Sequence, residues 1–192
     1  PYQLVFHEDA EIARGNSALK PTTSDNLDVL AERYFKSIGV VSGGVFYKRM
    51  SDYIFNFRFQ EQAFGDLYAI SQPKNGDTAT LWGVELAVQN QLRFLPAPFD
   101  GLGIYANYTW TDSNARYPDR TTDSTLPGQS KHLGNVALWY EKHGFSAKTS
   151  LNFHGKYIDA VGGDALEDVY YDNHTQLDIS VSQQLMKRIK IY

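Results

Sequence analysis

From Asp100 to Ser113 the chain reads DGLGIYANYTWTDS, and its polarity alternates residue by residue. Leu102, Ile104, Ala106, Tyr108 and Trp110 fall on one side, and Gly103, Tyr105, Asn107, Thr109 and Thr111 on the other. A period of two marks a strand with one apolar and one polar face. The same pattern recurs along the chain. Leu27, Val29, Ala31 and Phe35 share a face, as do Val41, Gly43, Val45 and Tyr47. Trp82, Val84, Leu86 and Val88 alternate with Gly83, Glu85, Ala87 and Gln89. Val136, Leu138 and Tyr140 follow, then Phe145, Ala147, Leu151 and Phe153 against Ser146, Lys148, Ser150, Asn152 and His154. Leu177, Ile179 and Val181 close the series against Gln176, Asp178 and Ser180. No stretch of ordinary helix length has a period near 3.6, so about eight strands in an antiparallel meander is the economical reading.

One alternating strand does not say whether its apolar face meets a protein core or lipid. The connections discriminate. KSIG, LPAPFDG, EKHG and LMKR are short, whereas residues 50–78, 113–129 and 157–173 are long and polar. In an up-and-down meander, alternate connections lie at the same end, so tight turns gather at one end and long loops at the other. Outer-membrane barrels have this layout, with short periplasmic turns and long extracellular loops. The strands also read as about 10–14 residues, long for soluble strands and sufficient for a tilted membrane crossing. Residues 60–77 read as loop, and residues 1–23 as an extracellular segment before strands that fill 24–192. Arg33 breaks the pattern, because alternation places it on the apolar face, close enough to the KSIG turn to snorkel.

Composition supports the lipid reading. The 192 residues include 13 Tyr and 11 Phe, and aromatics make up 14% of the chain. A barrel with a wet interior and aromatic girdles reconciles this with a polar average, and a Tyr-rich carbohydrate-binding sandwich also fits it. The net charge of −4 gives no nucleic-acid footprint. No cysteine is present, so there is no thiolate metal site. No run of about 18 apolar residues forms a transmembrane helix. The chain opens without Met and stops in IKIY, as a piece of a longer protein would.

In order, the segments GNSALKPTTSDNLDVLAERYF, GVVSGGVFYKRMSDYI, LWGVELAVQNQLRFLPAPFDGLGIYANYTWTDS, LPGQSKHLGNVALWYEKHGFSAKTSLNFHGKY and QLDISVSQQLMKRIKIY carry a resemblance. Together they resemble the C-terminal part of the barrel of TonB-dependent outer-membrane receptors. The resemblance implies an all-β, antiparallel, up-and-down transmembrane β-barrel segment, an incomplete part of a roughly 22-stranded barrel. It implies location in the bacterial outer membrane and import of a scarce nutrient such as a siderophore, vitamin or glycan. It further implies contact with the lipid bilayer, and energy from the TonB complex through an N-terminal plug that this chain lacks. A soluble β-sandwich carbohydrate-binding module and a complete eight-stranded outer-membrane barrel are the alternatives.

Candidate chemistry is sparse. HEDAE, from His7 to Glu11, lacks the second His of a zincin. Asp159, Asp164, Glu167, Asp168 and Asp172 lack EF-hand spacing, and read as a solvated charged loop with calcium or substrate contact as the alternative. No nucleophile elbow or P-loop occurs, so the chain reads as no enzyme, with no metal site and no cofactor. The loops do hold aromatics beside polar groups: Phe64, Tyr68, Tyr117, Asp119, Arg120, Tyr170 and Tyr171. Such a set suits ligand capture by stacking and hydrogen bonding, although interfacial anchoring explains the tyrosines equally well.

Overall fold

The computed structural model describes residues 4–7, 11–35, 39–118, 120–186 and 189–191. In chain order the strands are β1 (Leu4–His7), β2 (Glu11–Arg14), β3 (Thr23–Phe35), β4 (Gly39–Ser51), β5 (Ile54–Ala63), β6 (Asp66–Asn75) and β7 (Thr78–Gln91). They continue with β8 (Leu102–Ala115), β9 (His132–Lys142), β10 (Phe145–His154), β11 (Tyr157–Ala160), β12 (Val169–Tyr171), β13 (His174–Met186) and β14 (Ile189–Ile191).

The alternating segments become one wall. Eight strands pair in the order β14-β13-β10-β9-β8-β7-β4-β3, and every pairing is antiparallel. Apart from β14, these strands run from 10 to 14 residues. β3 and β14 stand at opposite edges of the sheet, which stays open among the described residues.

Register carries the apolar positions across the wall. Val45 faces Val84, Val84 faces Trp110, Leu86 faces Tyr108, and Val88 faces Ala106. Ala106 faces Val136, which faces Leu151, which faces Leu177. This face has no protein over it: Leu86 is 56% exposed and Ile179 71%. A continuous, unshielded apolar sheet face of this size needs lipid. Aromatics mark its two rims. At one rim Trp82 and Trp110 meet edge to face at 4.8 Å, and Tyr108 bonds His132 at 2.6 Å. At the other, Tyr140 packs 6.1 Å from Phe145 and its hydroxyl donates to the Pro98 carbonyl at 3.1 Å. From Leu102, opposite Tyr140, to Trp110 the strand advances about 26 Å at 3.3 Å per residue; tilted by about 40°, it spans about 20 Å of membrane. Arg33 lies near the end of β3 with its guanidinium 5.6 Å from the Phe35 ring centroid, a position from which it reaches the interface.

The opposite face is wet. Asn135 donates to Asn152, Asn152 to Asp178 at 3.3 Å, and Gln176 to Asp178 at 2.9 Å. Large rings cover cross-strand glycines there. Phe46 lies over Gly83, and Trp139 over Gly103.

The connections alternate as the loop lengths require. Pairings such as Thr23↔Ser51, Ala79↔Ala115 and Trp110↔His132 gather residues 52–77, 116–131 and 155–173 at one end. At the other end His143 and Gly144, both with positive φ, form a two-residue turn, and a 3₁₀ turn at Phe99–Gly101 follows the proline-rich stretch. The KSIG turn at residues 36–38 and the LMKR turn at 187–188 lie outside the described residues.

Residues 60–77 correct the sequence reading. They are not an irregular loop but most of a β5–β6 hairpin, turned by Phe64 and Gly65 with φ of 52° and 95°. A proline inside a strand normally costs a ladder bond, and Pro73 lies within β6. It sits opposite Asn56, where its nitrogen faces away from β5, so the ladder loses no bond. Short strands also occupy the segments read as irregular: β1 and β2 before Thr23, and β11 and β12 within residues 155–173.

Candidate functional site

The long-loop end is a packed unit. Its hairpin grows into a four-stranded sheet of order β1-β2-β6-β5, with β2 parallel to β6. Ile12 faces Ile70 across that pairing, and both are buried. Arg14 grips Glu61 through two bonds of 2.9 and 3.0 Å, and Arg58 pairs with Glu11. The Arg14 bonds hold the Glu61 carboxyl below the usual carboxylate range.

An apolar core joins this sheet to the other two loops. Tyr53, Phe55, Tyr117, Ile158 and Val161 are buried together with Ala79 and Ala115. Phe55 and Tyr117 meet edge to face at 5.0 Å, and Tyr53 and Tyr117 at 5.9 Å. The Tyr53 hydroxyl donates to the Arg116 carbonyl at 2.9 Å, and that of Tyr117 to the Thr125 carbonyl at 2.8 Å. Burial pushes both phenols above their ordinary pKa, so they serve as neutral packing groups.

One ion pair fastens loop 116–131 to loop 155–173. Arg120 Nη1 donates to Asp168 Oδ2 at 3.1 Å, and Nη2 reaches Asp168 Oδ1 and the carbonyls of Gly162 and Asp164, both at 2.8 Å. The side chains are 5% and 0% exposed. Burial alone lowers the guanidinium pKa, but the bond and charge of Asp168 outweigh it and the net shift is upward. Asp168 Oδ1 also accepts the Gly162 N–H at 3.0 Å. A side chain at Gly162 would collide with the Glu167 backbone, its Cβ 2.7 Å from the carbonyl. The acidic loop spends further oxygens on itself: Glu167 Oε2 accepts the Gly163 N–H at 2.9 Å, and Asp164 Oδ1 the Leu166 N–H at 2.7 Å. Among the described residues no group of three or more His, Asp or Glu gathers as a metal cage.

The sequence candidates divide accordingly. Tyr117 and Arg120 are buried and tie loops together. Phe64 stands at the hairpin tip, 74% exposed, its ring 6.1 Å from that of Tyr68. Tyr170 and Tyr171 lie exposed on β12, with Lys156 Nζ 4.3 Å from the Tyr170 ring and Tyr157 5.4 Å from Tyr171. Asp119 lies outside the described residues, as do residues 8–10 of HEDAE. Sequence reasoning passed over Tyr53 and Phe55 as site-building residues, and placed Asp168 in a solvated charged loop, whereas its side chain is buried against Arg120. It also passed over a cleft of about 590 Å³ lined by Arg58, Phe59, Gln60, Ala69, Glu167 and Val169. The alternation of FNFRFQ was the signal for its β5 side; nothing local marks Glu167 or Val169 as its other side.

An open wall of amphipathic strands, lipid-facing on one side and crowned by ordered loops at one end, defines a transmembrane β-barrel of the outer-membrane kind. The family model described as TonB dependent receptor-like, beta-barrel, matches residues 2–192, and the chain belongs to that family. Its members are outer-membrane receptors and transporters, not enzymes. No curated protein matches the chain. Among solved structures, the siderophore receptor PirA from Acinetobacter baumannii superposes with a TM-score of 0.58 at 15% identity, over 92% of this chain and 27% of that one. The copper transporter OprC gives 0.64 at 13% identity, over 91% and 25%. The ferric yersiniabactin uptake receptor FyuA from Yersinia pestis gives 0.62 at 16%, over 88% and 23%. At these identities the likeness is one of fold. The chain spans about a quarter of the length of each.

Proposed function

We propose that this chain supplies part of the barrel wall and part of the ligand vestibule of a receptor that imports a scarce, metal-bearing chelate of the siderophore type. The observation that carries the reading is the assembly of all three long loops at one end around a buried core, with aromatic side chains left exposed on top. A mobile loop set would lose much of its binding energy to ordering; a set already packed does not. Phe64, Tyr68, Tyr170 and Tyr171 provide stacking surfaces, and Lys156 beside Tyr170 adds a cation suited to an anionic chelate. Tyr117 and Arg120 hold the loops in place, and Asp119 stays in the candidate set by its position next to Arg120 in sequence. The long-loop end is extracellular in this reading and the short turns periplasmic, with a plug domain and TonB outside this chain coupling uptake to energy. The named cargoes of PirA and FyuA, a siderophore and ferric yersiniabactin, favour a chelate over a glycan or vitamin.

The test uses the whole receptor in iron-starved cells, with radioactive iron supplied on hydroxamate, catecholate and carboxylate chelators in turn. One of the three is expected to enter in a TonB-dependent way, and Tyr170→Ala with Tyr171→Ala to cut that uptake at least tenfold while the receptor stays in the outer membrane. Uptake of none of them, or uptake indifferent to both substitutions, overturns the reading.

A further inference from the structure

The loop sheet ends on an edge that is covered for one residue and then left open. β5 is its outermost strand and pairs with β6 alone. Because a two-residue turn joins them, odd-numbered residues of β5 bond to β6, and even-numbered ones turn N–H and C=O outward. The outward groups are used first by Val161. The Arg58 N–H donates to the Val161 carbonyl at 2.8 Å, and the Val161 N–H donates to the Asn56 carbonyl at 2.9 Å. Val161 thus lies beside Phe57 as the first residue of an added parallel strand.

That strand goes no further. The N–H groups of Gly162 and Gly163 donate instead to Asp168 and Glu167, and Arg120 holds the Gly162 carbonyl. The chain is drawn off the edge where the next rungs would form. Beyond it the Arg58 C=O, the Gln60 N–H and C=O, and the Gln62 N–H face outward, along about 13 Å of edge. None of these four groups is paired among the described residues. Proteins normally blunt such an edge with Pro, Lys or a bulge. From Phe59 to Ala63 β5 has neither Pro nor Lys, its one charged side chain, Glu61, is held by Arg14, and its register with β6 runs unbroken. The 590 Å³ cleft opens at this point, between Gln60 on one side and Glu167 and Val169 on the other.

We propose that the β5 edge is a docking site for an extended segment of a partner polypeptide, which adds as a strand where Val161 leaves off. Val161 shows that a strand is accommodated on this edge, and the cleft supplies room for its continuation. A row of alternating backbone donors and acceptors matches a polypeptide, which carries the same row, and gives a compact chelate no comparable match. The inference needs no nutrient assignment and no orientation in the membrane, so it stands or falls separately from the uptake reading.

The test uses the whole receptor in detergent, and as probe a labelled heptapeptide of alternating Thr and Val with a terminal Lys, followed by fluorescence polarisation. Saturable binding is expected. Gln60→Pro removes an outward N–H without touching a β5–β6 bond, and is expected to weaken binding at least tenfold. Gln60→Ala keeps the backbone and should stay within twofold. Two peptides, N-methylated at one or the other alternating set of residues, need no receptor variant: one set should abolish binding and the other preserve it. The proposal is overturned by absence of saturable binding, by equal binding to Gln60→Pro, or by equal tolerance of both N-methylated peptides. A receptor dimer lost in Gln60→Pro, with no peptide binding, overturns the choice of partner.

Discussion

Replacing Asp168 with Ala probes the joint between the two long loops. The carboxylate is fully buried against a guanidinium that is itself 5% exposed. Its removal deletes both contacts to Arg120 and the bond from the Gly162 N–H, and strands a buried cation. Arg120 keeps the carbonyls of Gly162 and Asp164 and the face of the Tyr117 ring, and its Nε already lacks a hydrogen-bond partner. Breaking one side of a buried pair costs about 3–5 kcal/mol. Taking the lower figure, local opening becomes about 10²-fold more frequent. Amide exchange by mass spectrometry on the detergent-solubilised receptor reads this directly, at Val161, Gly162 and Gly163. The wall strands β7, β8 and β9 serve as internal reference and should not change. The paired substitution Arg120→Met with Asp168→Leu, which leaves no orphaned charge, should recover most of the loss. An exchange rate within twofold of wild type in Asp168→Ala refutes the assignment of this pair as the joint. So does a double variant as labile as the single one.

Three further outcomes follow from the geometry. Gly83→Ala places a Cβ 2.4 Å from the Trp110 carbonyl and 2.6 Å from the Phe46 ring, so it should destabilise the barrel by about 1–3 kcal/mol, measured as a lowered urea midpoint in folded-barrel gel mobility. Gly15→Ala meets nothing within 4 Å and is the matched control, expected to leave the midpoint unchanged. The Glu61 carboxyl is depressed by Arg14, so its contribution is present above the ordinary carboxylate pKa and is lost as pH falls through the lower, folded value. Exchange at Ile12 and Ile70 should therefore accelerate on acidification in the wild type, beyond the intrinsic pH trend, and be largely free of that extra step in Glu61→Gln.

The wall was legible because lipid on one side and water on the other impose a strict period of two. Leu102, Ile104 and Ala106 and their partners obey it over whole strands, and the alternation of short and long connections supplied the direction. The hairpin was half legible. Phe55, Phe57 and Phe59 alternate with Asn56, Arg58 and Gln60, but the turn has Phe-Gly where Asn-Gly is the usual signal, and Pro73 interrupts the return strand. Its nitrogen happens to face outward, which only the register reveals. The joint was not legible. Arg120 and Asp168 are 48 residues apart in two loops, and no local pattern announces that a polar loop residue will be buried against another.

The apolar face of the wall meets lipid and the other face meets water. The chain has no cysteine, so Ile104→Cys, Tyr105→Cys, Ala106→Cys and Asn107→Cys admit a nitroxide at each position of one strand. In receptor reconstituted into liposomes, residues 104 and 106 should be accessible to oxygen and shielded from a water-soluble nickel chelate, with 105 and 107 showing the reverse. Loss of that alternation, or its inversion, would show that the wall does not face lipid in this way.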